Sequence, residues 1–156
     1  MAVGDARGRA VRAPGLARWL ADTAPPAAAG FEVSVALVSD RYMRRLNHRF
    51  RDVAHATDVL SFPAAESPSI SPCATSRNDP PRTLGDIVIA TGVARRQARR
   101  AGVAYATELR VLALHGLLHL LGFDHETDTG AMARTERRLR RRAGLPVGLI
   151  EREASR

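Results

Sequence analysis

Apolar and polar positions along the chain change period several times, and each change marks an element. From Pro14 to Ala24 the segment PGLARWLADTA puts Leu16, Trp19 and Leu20 at helical spacing, which predicts a short amphipathic helix with those three side chains inward. A Pro and Ala run connects it to FEVSVALV, residues 31 to 38, which alternates and is rich in β-branched residues, as a strand does. Ser39 or Asp40 can then cap a helix carrying Tyr42, Met43, Leu46 and Phe50. TDVLSF, from Thr57 to Phe62 and closed by Pro63, reads as a strand, and LGDIVIA, from Leu84 to Ala90, as another. Thr91 can cap a helix running through Arg100. A long helix starts near Tyr105, and a last one runs from about Asp128 to about Gly144. No internal repeat is visible.

Short strands followed by a cluster of helices predict an α+β fold, a small mixed β-sheet packed against helices, with the helix from Tyr105 central and lying on the sheet. A chain of 156 residues suits one domain with a core of ordinary size. The expected organisation is a flexible N-terminus over 1–13, a single domain over 14–145, and a tail over 146–156. Within the domain, AAESPSISPCATSRNDPPR is dense in Ser and Pro and predicts a mobile loop over 64–82. It does not divide the chain, because the strands on either side need each other. The longest apolar stretches, around 111–123, are interrupted by histidines and too short to span a bilayer. The first residues hold arginines but no apolar signal core, and a single cysteine, Cys73, cannot close an internal disulfide. Both features point to the cytoplasm.

The long helix carries the candidate chemistry. HGLLHLLGFDH, from His115 to His125, holds three of the five histidines. Residues four apart share a helix face, so His115 and His119 can aim at one point. Gly122 suits the helix exit, where a left-handed residue lets the chain turn and bring His125 back toward the pair. Three imidazoles with a fourth position open make the ligand set of a catalytic zinc, one ion per chain. A histidine on an apolar helix is more often a satisfied core residue, and Leu117, Leu118, Leu120 and Leu121 say that this helix is buried. Two imidazoles one turn apart in that setting, however, leave four ring nitrogens needing partners.

A zinc held by neutral imidazoles keeps its full charge, activates water and polarises a substrate oxygen, so hydrolysis is the expected reaction class. The spacing H-x-x-x-H-x-x-G-x-x-H also occurs in metzincin peptidases, but there a glutamate follows the first histidine as general base. Here that position is Gly116, which cannot accept a proton. Asp124 and Glu126 flank His125. They can serve as base or partner, or more plainly orient a histidine and start the last helix.

Charge adds a class of partner. The net charge is +8, and all 24 basic residues are arginine. A biased genome accounts for arginine over lysine but not for the excess of positive charge, which is expected of a protein that works on a polyanion. Arg95, Arg96, Arg99 and Arg100 form a candidate RNA-binding ridge, and Arg137, Arg138, Arg140, Arg141 and Arg142 a second cluster. The plainer reading of each is a solvated helix face, partly paired with Glu136. Trp19, Tyr42, Tyr105 and four phenylalanines leave stacking platforms scarce, so base-specific readout is not evident.

Four segments agree on a family. HGLLHLLGFDH, Leu46 and Asn47 followed by Phe50 and Arg51, TDVLSFP over Thr57 to Pro63, and LGDIVIA occur in the order found in the YbeY family of bacterial endoribonucleases, which the chain resembles over roughly residues 31 to 144. The resemblance implies a metal-dependent, single-strand-specific endoribonuclease that matures ribosomal RNA, especially the small-subunit 3′ end, and takes part in ribosome quality control. It implies zinc on His115, His119 and His125 and a functional arginine at Arg51, where a guanidinium can pair with a phosphate and offset charge growing on phosphorus. Taken alone, Arg51 reads as a solvated charge at a helix end. Ribosomal RNA and the small subunit are the implied partners, with no membrane and no organic cofactor. Rival readings are a metallopeptidase and a ribosome-assembly factor whose metal is only structural. The chain departs from the family in lacking an apolar alternating opening strand, in its long Ser and Pro stretch, and in the tail IEREASR.

Overall fold

The computed structural model describes residues 1–5, 13–64, 82–123 and 130–146. A four-stranded sheet in the order β1-β2-β4-β3 carries helices on both faces. Its strands are β1 (Ala2–Gly4), β2 (Phe31–Val38), β3 (Val59–Pro63) and β4 (Arg82–Ala90). The helices are α1 (Leu16–Thr23), α2 (Asp40–Arg51), α3 (Thr91–Arg100), α4 (Tyr105–Leu120) and α5 (Ala131–Arg142), with a short 3-10 turn at Pro26–Ala28. β1 and β2 pair in parallel, as do β2 and β4, whereas β3 pairs antiparallel with β4 (Leu60 opposite Val88). The sheet is mixed, as the order of elements predicts.

Alternation along the strands builds two cores. Val33, Val35 and Leu37 of β2 and Ile87 and Ile89 of β4 point to the face covered by α1 and α4, where they meet Leu16, Leu20 and the leucines of α4. Val38, Val88 and Leu60 point the other way, against Met43 of α2. Among the described residues α4 packs against α1, α3, α5 and the strands β3 and β4, and most of its side chains are buried. A helix covered on all sides has no need of a polar face, which is why it is leucine-rich throughout. Leu117 and Leu118 are 0% exposed, and burying each stabilises the fold by about 1.5–3 kcal/mol.

Gly85, in the LGDIVIA segment, has a physical reason. The register slips between Glu32 and Val33, whose partners are Thr83 and Gly85, so Leu84 is an extra residue on β4. Gly85 takes φ +149 there, and a Cβ on it would run into the Phe62 carbonyl oxygen and lie 2.8 Å from Leu120 Cδ2. Glycine lets β3 and α4 close on β4 at once.

Several boundaries differ from expectation. Ala2–Gly4, placed in a flexible N-terminus, forms β1, because a three-residue edge strand needs backbone pairing and no alternating apolar run. Ser39 is the cap of α2, accepting from the Tyr42 amide at 3.3 Å. Asp40 works elsewhere: its carboxylate accepts from the Val93 amide (3.1 Å) and pairs with Arg96 (2.9 Å), capping α3 from a neighbouring helix. Thr91 is therefore the first residue of α3 and not its cap. Phe50, expected among the apolar residues of α2, is 56% exposed and sets its ring edge-on to Phe62. The Ser and Pro stretch with Cys73, the start of the last helix near Asp128, and the tail lie outside the described residues.

Candidate metal centre

His115 and His119 stand one turn apart near the end of α4, as their spacing requires. Their rings lie at 70° with centroids 4.7 Å apart, and the two Nε2 atoms approach to 3.0 Å. His115 is only 4% exposed, and His119 is half-buried. Two imidazole nitrogens aimed at each other cannot both carry a proton. Lone pairs so placed are satisfied by a shared proton or by a cation between them.

A zinc ion fits that arrangement. Zn–N bonds of roughly 2.0–2.1 Å at a tetrahedral angle set ligand nitrogens about 3.3 Å apart, close to the 3.0 Å seen here. Neutral imidazole is a preferred zinc donor, and a buried setting keeps the ion's field unscreened. His125, with its neighbours Asp124 and Glu126, lies outside the described residues, and no group of three metal-ligating side chains is complete among those described. Gly122 does take the left-handed conformation at φ +85. Its amide bonds the His119 carbonyl at 3.0 Å and the Phe123 amide bonds the Leu118 carbonyl at 3.1 Å, ending α4 just where the segment toward His125 departs.

Position 116 explains the missing glutamate. A Cβ on Gly116 would lie 2.7 Å from Ile87 Cγ2 and 3.1 Å from Ser61 Oγ, so α4 touches the sheet at this residue. The Ser61 hydroxyl donates to the Gly116 carbonyl at 3.0 Å and ties β3 to the histidine helix. The residue after His115 faces the sheet, with no space for a side chain, so a general base cannot stand there.

Arg51 is exposed at the last position of α2, the helix on the opposite face of the sheet. The histidine pair lies on α4, which packs on the other face. β3 links the two: Ser61 holds α4 on one side, and Phe62 meets Phe50, next to Arg51, on the other. Asp52 ends α2 at φ 54, and Asn47, 2% exposed, donates to the His55 carbonyl at 2.8 Å, which fixes the loop leading from Arg51 into β3.

The arginine ridge is less uniform than its spacing suggests. Arg96 pairs with Asp40, Arg95 lies over the Tyr105 ring at 5.1 Å, and Arg99 and Arg100 are exposed. Burial pushes the Tyr105 phenol above its ordinary range, while Arg95 pulls it down. In the second cluster Arg140 is buried and donates to the Leu145 and Pro146 carbonyls, which closes the end of α5 and removes it from any RNA surface. Glu136, read as a partner of surface arginines, is 3% exposed, with Oε2 3.7 Å from His115 Nδ1. Met132, Glu136 and Leu139 fall on one stripe of α5, a spacing that marks an inward face but not what Glu136 meets there.

A groove of about 570 Å³ opens on the sheet's α2 face, lined by Ser34, Tyr42, Phe50, Phe62 and Asp86 among others, none of them from α4. It is separate from the histidine pair. No described helix is long and apolar enough to cross a membrane.

A family model described as endoribonuclease YbeY matches residues 16–144. An endoribonuclease YbeY of Solibacter usitatus is 42% identical over 145 residues, 93% of this chain and 88% of that protein. One from Nautilia profundicola is 40% identical over 121 residues, 78% of either chain. Against one from Myxococcus xanthus the identity is 42%, over 80% of this chain but 41% of that longer protein. The solution structure of a Thermotoga maritima protein superposes with a TM-score of 0.59 at 24% identity, covering 92% of this chain and 89% of that one, which speaks for the fold.

Proposed function

The chain belongs to the endoribonuclease YbeY family, and from that premise we propose that it is a zinc-dependent, single-strand-specific endoribonuclease. Its substrate is ribosomal RNA, chiefly the 3′ end of the small-subunit RNA, and its setting is ribosome maturation and quality control in the cytoplasm. It uses one zinc ion per chain and no organic cofactor. The observation that carries the proposal is the 3.0 Å approach of the Nε2 atoms of buried His115 and half-buried His119 on α4. His125, five residues beyond Leu120 in the sequence, is the third ligand of this reading, giving the zincin-like arrangement of a helical pair and a following histidine. When bound, zinc supplies Lewis-acid polarisation of a phosphoryl oxygen and activation of water.

The chain's own residues divide the remaining work. His115 and His119 hold their Nε2 atoms toward a common point. Arg51 offers a planar pair of N–H donors to a phosphate oxygen and offsets negative charge gathering on phosphorus. Ser61 and Gly116 keep β3 against α4, so that the strand next to Arg51 and the histidine helix hold one spacing. The exposed arginines Arg99 and Arg100, with Arg95 and Arg96 beside them, follow the RNA backbone without reading bases.

The test sets zinc-loaded wild type and Arg51→Ala against single-stranded RNA, duplex RNA and casein. Wild type is expected to cut only the single strand. Arg51→Ala is expected to lose roughly 100- to 1,000-fold in rate, the usual effect of removing one transition-state donor. Its zinc content and melting temperature stay close to wild type, because the residue is exposed. Cleavage of casein with RNA left intact identifies a peptidase. Cleavage of neither identifies an assembly factor with a structural metal, and full activity in Arg51→Ala removes that residue from the mechanism.

A further inference from the structure

Helix α5 presents Met132, Glu136 and Leu139 to the core, and the two apolar members of that stripe are 0% and 4% exposed. A carboxylate in the same row is out of place unless it meets positive charge or a donor, since an ionised group taken from water is costly to bury. Glu136 is 3% exposed, and its Oε2 lies 3.7 Å from Nδ1 of His115, on the ring edge opposite the Nε2 that faces His119. One imidazole therefore stands between a carboxylate and the candidate metal position.

We propose that Glu136 is a positioning residue for the metal centre, holding His115 in the Nδ1–H tautomer so that its Nε2 lone pair is committed to the ion. The inference rests on the zinc reading above. Its physical basis is electrostatic. A negative charge near Nδ1 favours the proton on that nitrogen and disfavours it on Nε2. It also orients the ring and strengthens it as a donor, as carboxylate–histidine–zinc arrangements do. The effect is reciprocal: positive charge arriving at Nε2 stabilises the buried carboxylate, so Glu136 and the metal favour each other's presence. Carrying this partner on α5 also couples the packing of α5 against α4 to the state of the histidine pair.

Glu136→Gln keeps the shape and removes the charge. Zinc affinity, measured by competition with a chromophoric chelator, is expected to fall 10- to 100-fold in the variant, the usual effect of losing such a partner, with an unchanged circular dichroism spectrum before zinc is added. Side-chain nitrogen NMR of zinc-free wild type, which a purely structural role would not move, is expected to show His115 with its proton on Nδ1, and Glu136→Gln to show a mixture. Affinity within twofold of wild type in the folded variant, or a wild-type His115 protonated on Nε2, overturns the inference. Should Glu136→Gln fail to fold, the wild-type tautomer alone decides. Wild type that binds zinc beside an unaffected variant sinks only this inference. Wild type that binds no zinc sinks the zinc reading as well.

Discussion

His119→Ala is expected to lose zinc and RNA cleavage together. Its Nε2 stands 3.0 Å from that of His115, so the substitution removes one of the two converging donors and leaves the other facing a cavity. Loss of a mere supporting partner weakens zinc binding about 10- to 100-fold, so loss of a direct ligand is expected to exceed 100-fold, enough to empty the site at micromolar zinc. His119 is half-buried, and the surrounding leucines carry most of the packing. The zinc-free variant is therefore expected to keep its circular dichroism spectrum and its single unfolding transition. Equilibrium dialysis with metal analysis, run beside an RNA cleavage assay, checks both halves. A variant that retains stoichiometric zinc, or cuts RNA at the wild-type rate, contradicts the ligand assignment.

Gly116→Glu is expected to destroy the fold without creating a peptidase. The substitution restores the glutamate that metzincins carry after the first histidine, but the new side chain must enter where α4 meets the sheet. A Cβ alone lies 2.7 Å from Ile87 Cγ2, and Ile87 is 0% exposed with no room to retreat. Forcing one methyl group into such a contact costs about 1–3 kcal/mol, and the carboxylate adds a desolvation cost of several kcal/mol more. A domain of this size has roughly 5–15 kcal/mol in all. Gly116→Ala is expected to fold and melt lower by about 2–4 °C for each kcal/mol lost, whereas Gly116→Glu is expected in the insoluble fraction. Thermal melts and expression solubility separate these outcomes. A soluble Gly116→Glu protein with an unchanged melting temperature would show that α4 does not press on β4 at this residue.

The same glycine shows where the sequence could be read and where it could not. Its chemistry was legible, because a residue without a side chain cannot be a base. Its cause was not, because only the distance to Ile87 and Ser61 shows that α4 and the sheet meet there. Strong periodicity served well for β2, whose bounds matched, and for α4, whose leucines and Gly122 exit stood where expected. Periodicity fails for β1, where three residues pair through their backbone and have too few side chains to make a pattern. It also fails for contacts between elements. Asp40 looks like a cap for the helix it begins, yet serves α3, a choice made by tertiary packing. Arg140 and Glu136 sit in a run that reads as a charged surface, and which members turn inward depends on where α4 lies. In the candidate site the helical pair is legible because both histidines share one element. The partner on α5 is not, because it arrives from another.

X-ray absorption at the zinc edge of the zinc-loaded wild-type protein addresses the shared ion most directly. The expected spectrum has about three imidazole nitrogens at roughly 2.0–2.1 Å, with the outer-shell scattering that imidazole rings produce, and one further light-atom ligand. The imidazole signal is expected to shrink in His115→Ala and in His119→Ala. A spectrum with one imidazole or none, unchanged in both variants, would mean that any bound zinc lies elsewhere and that the two rings on α4 do not hold it.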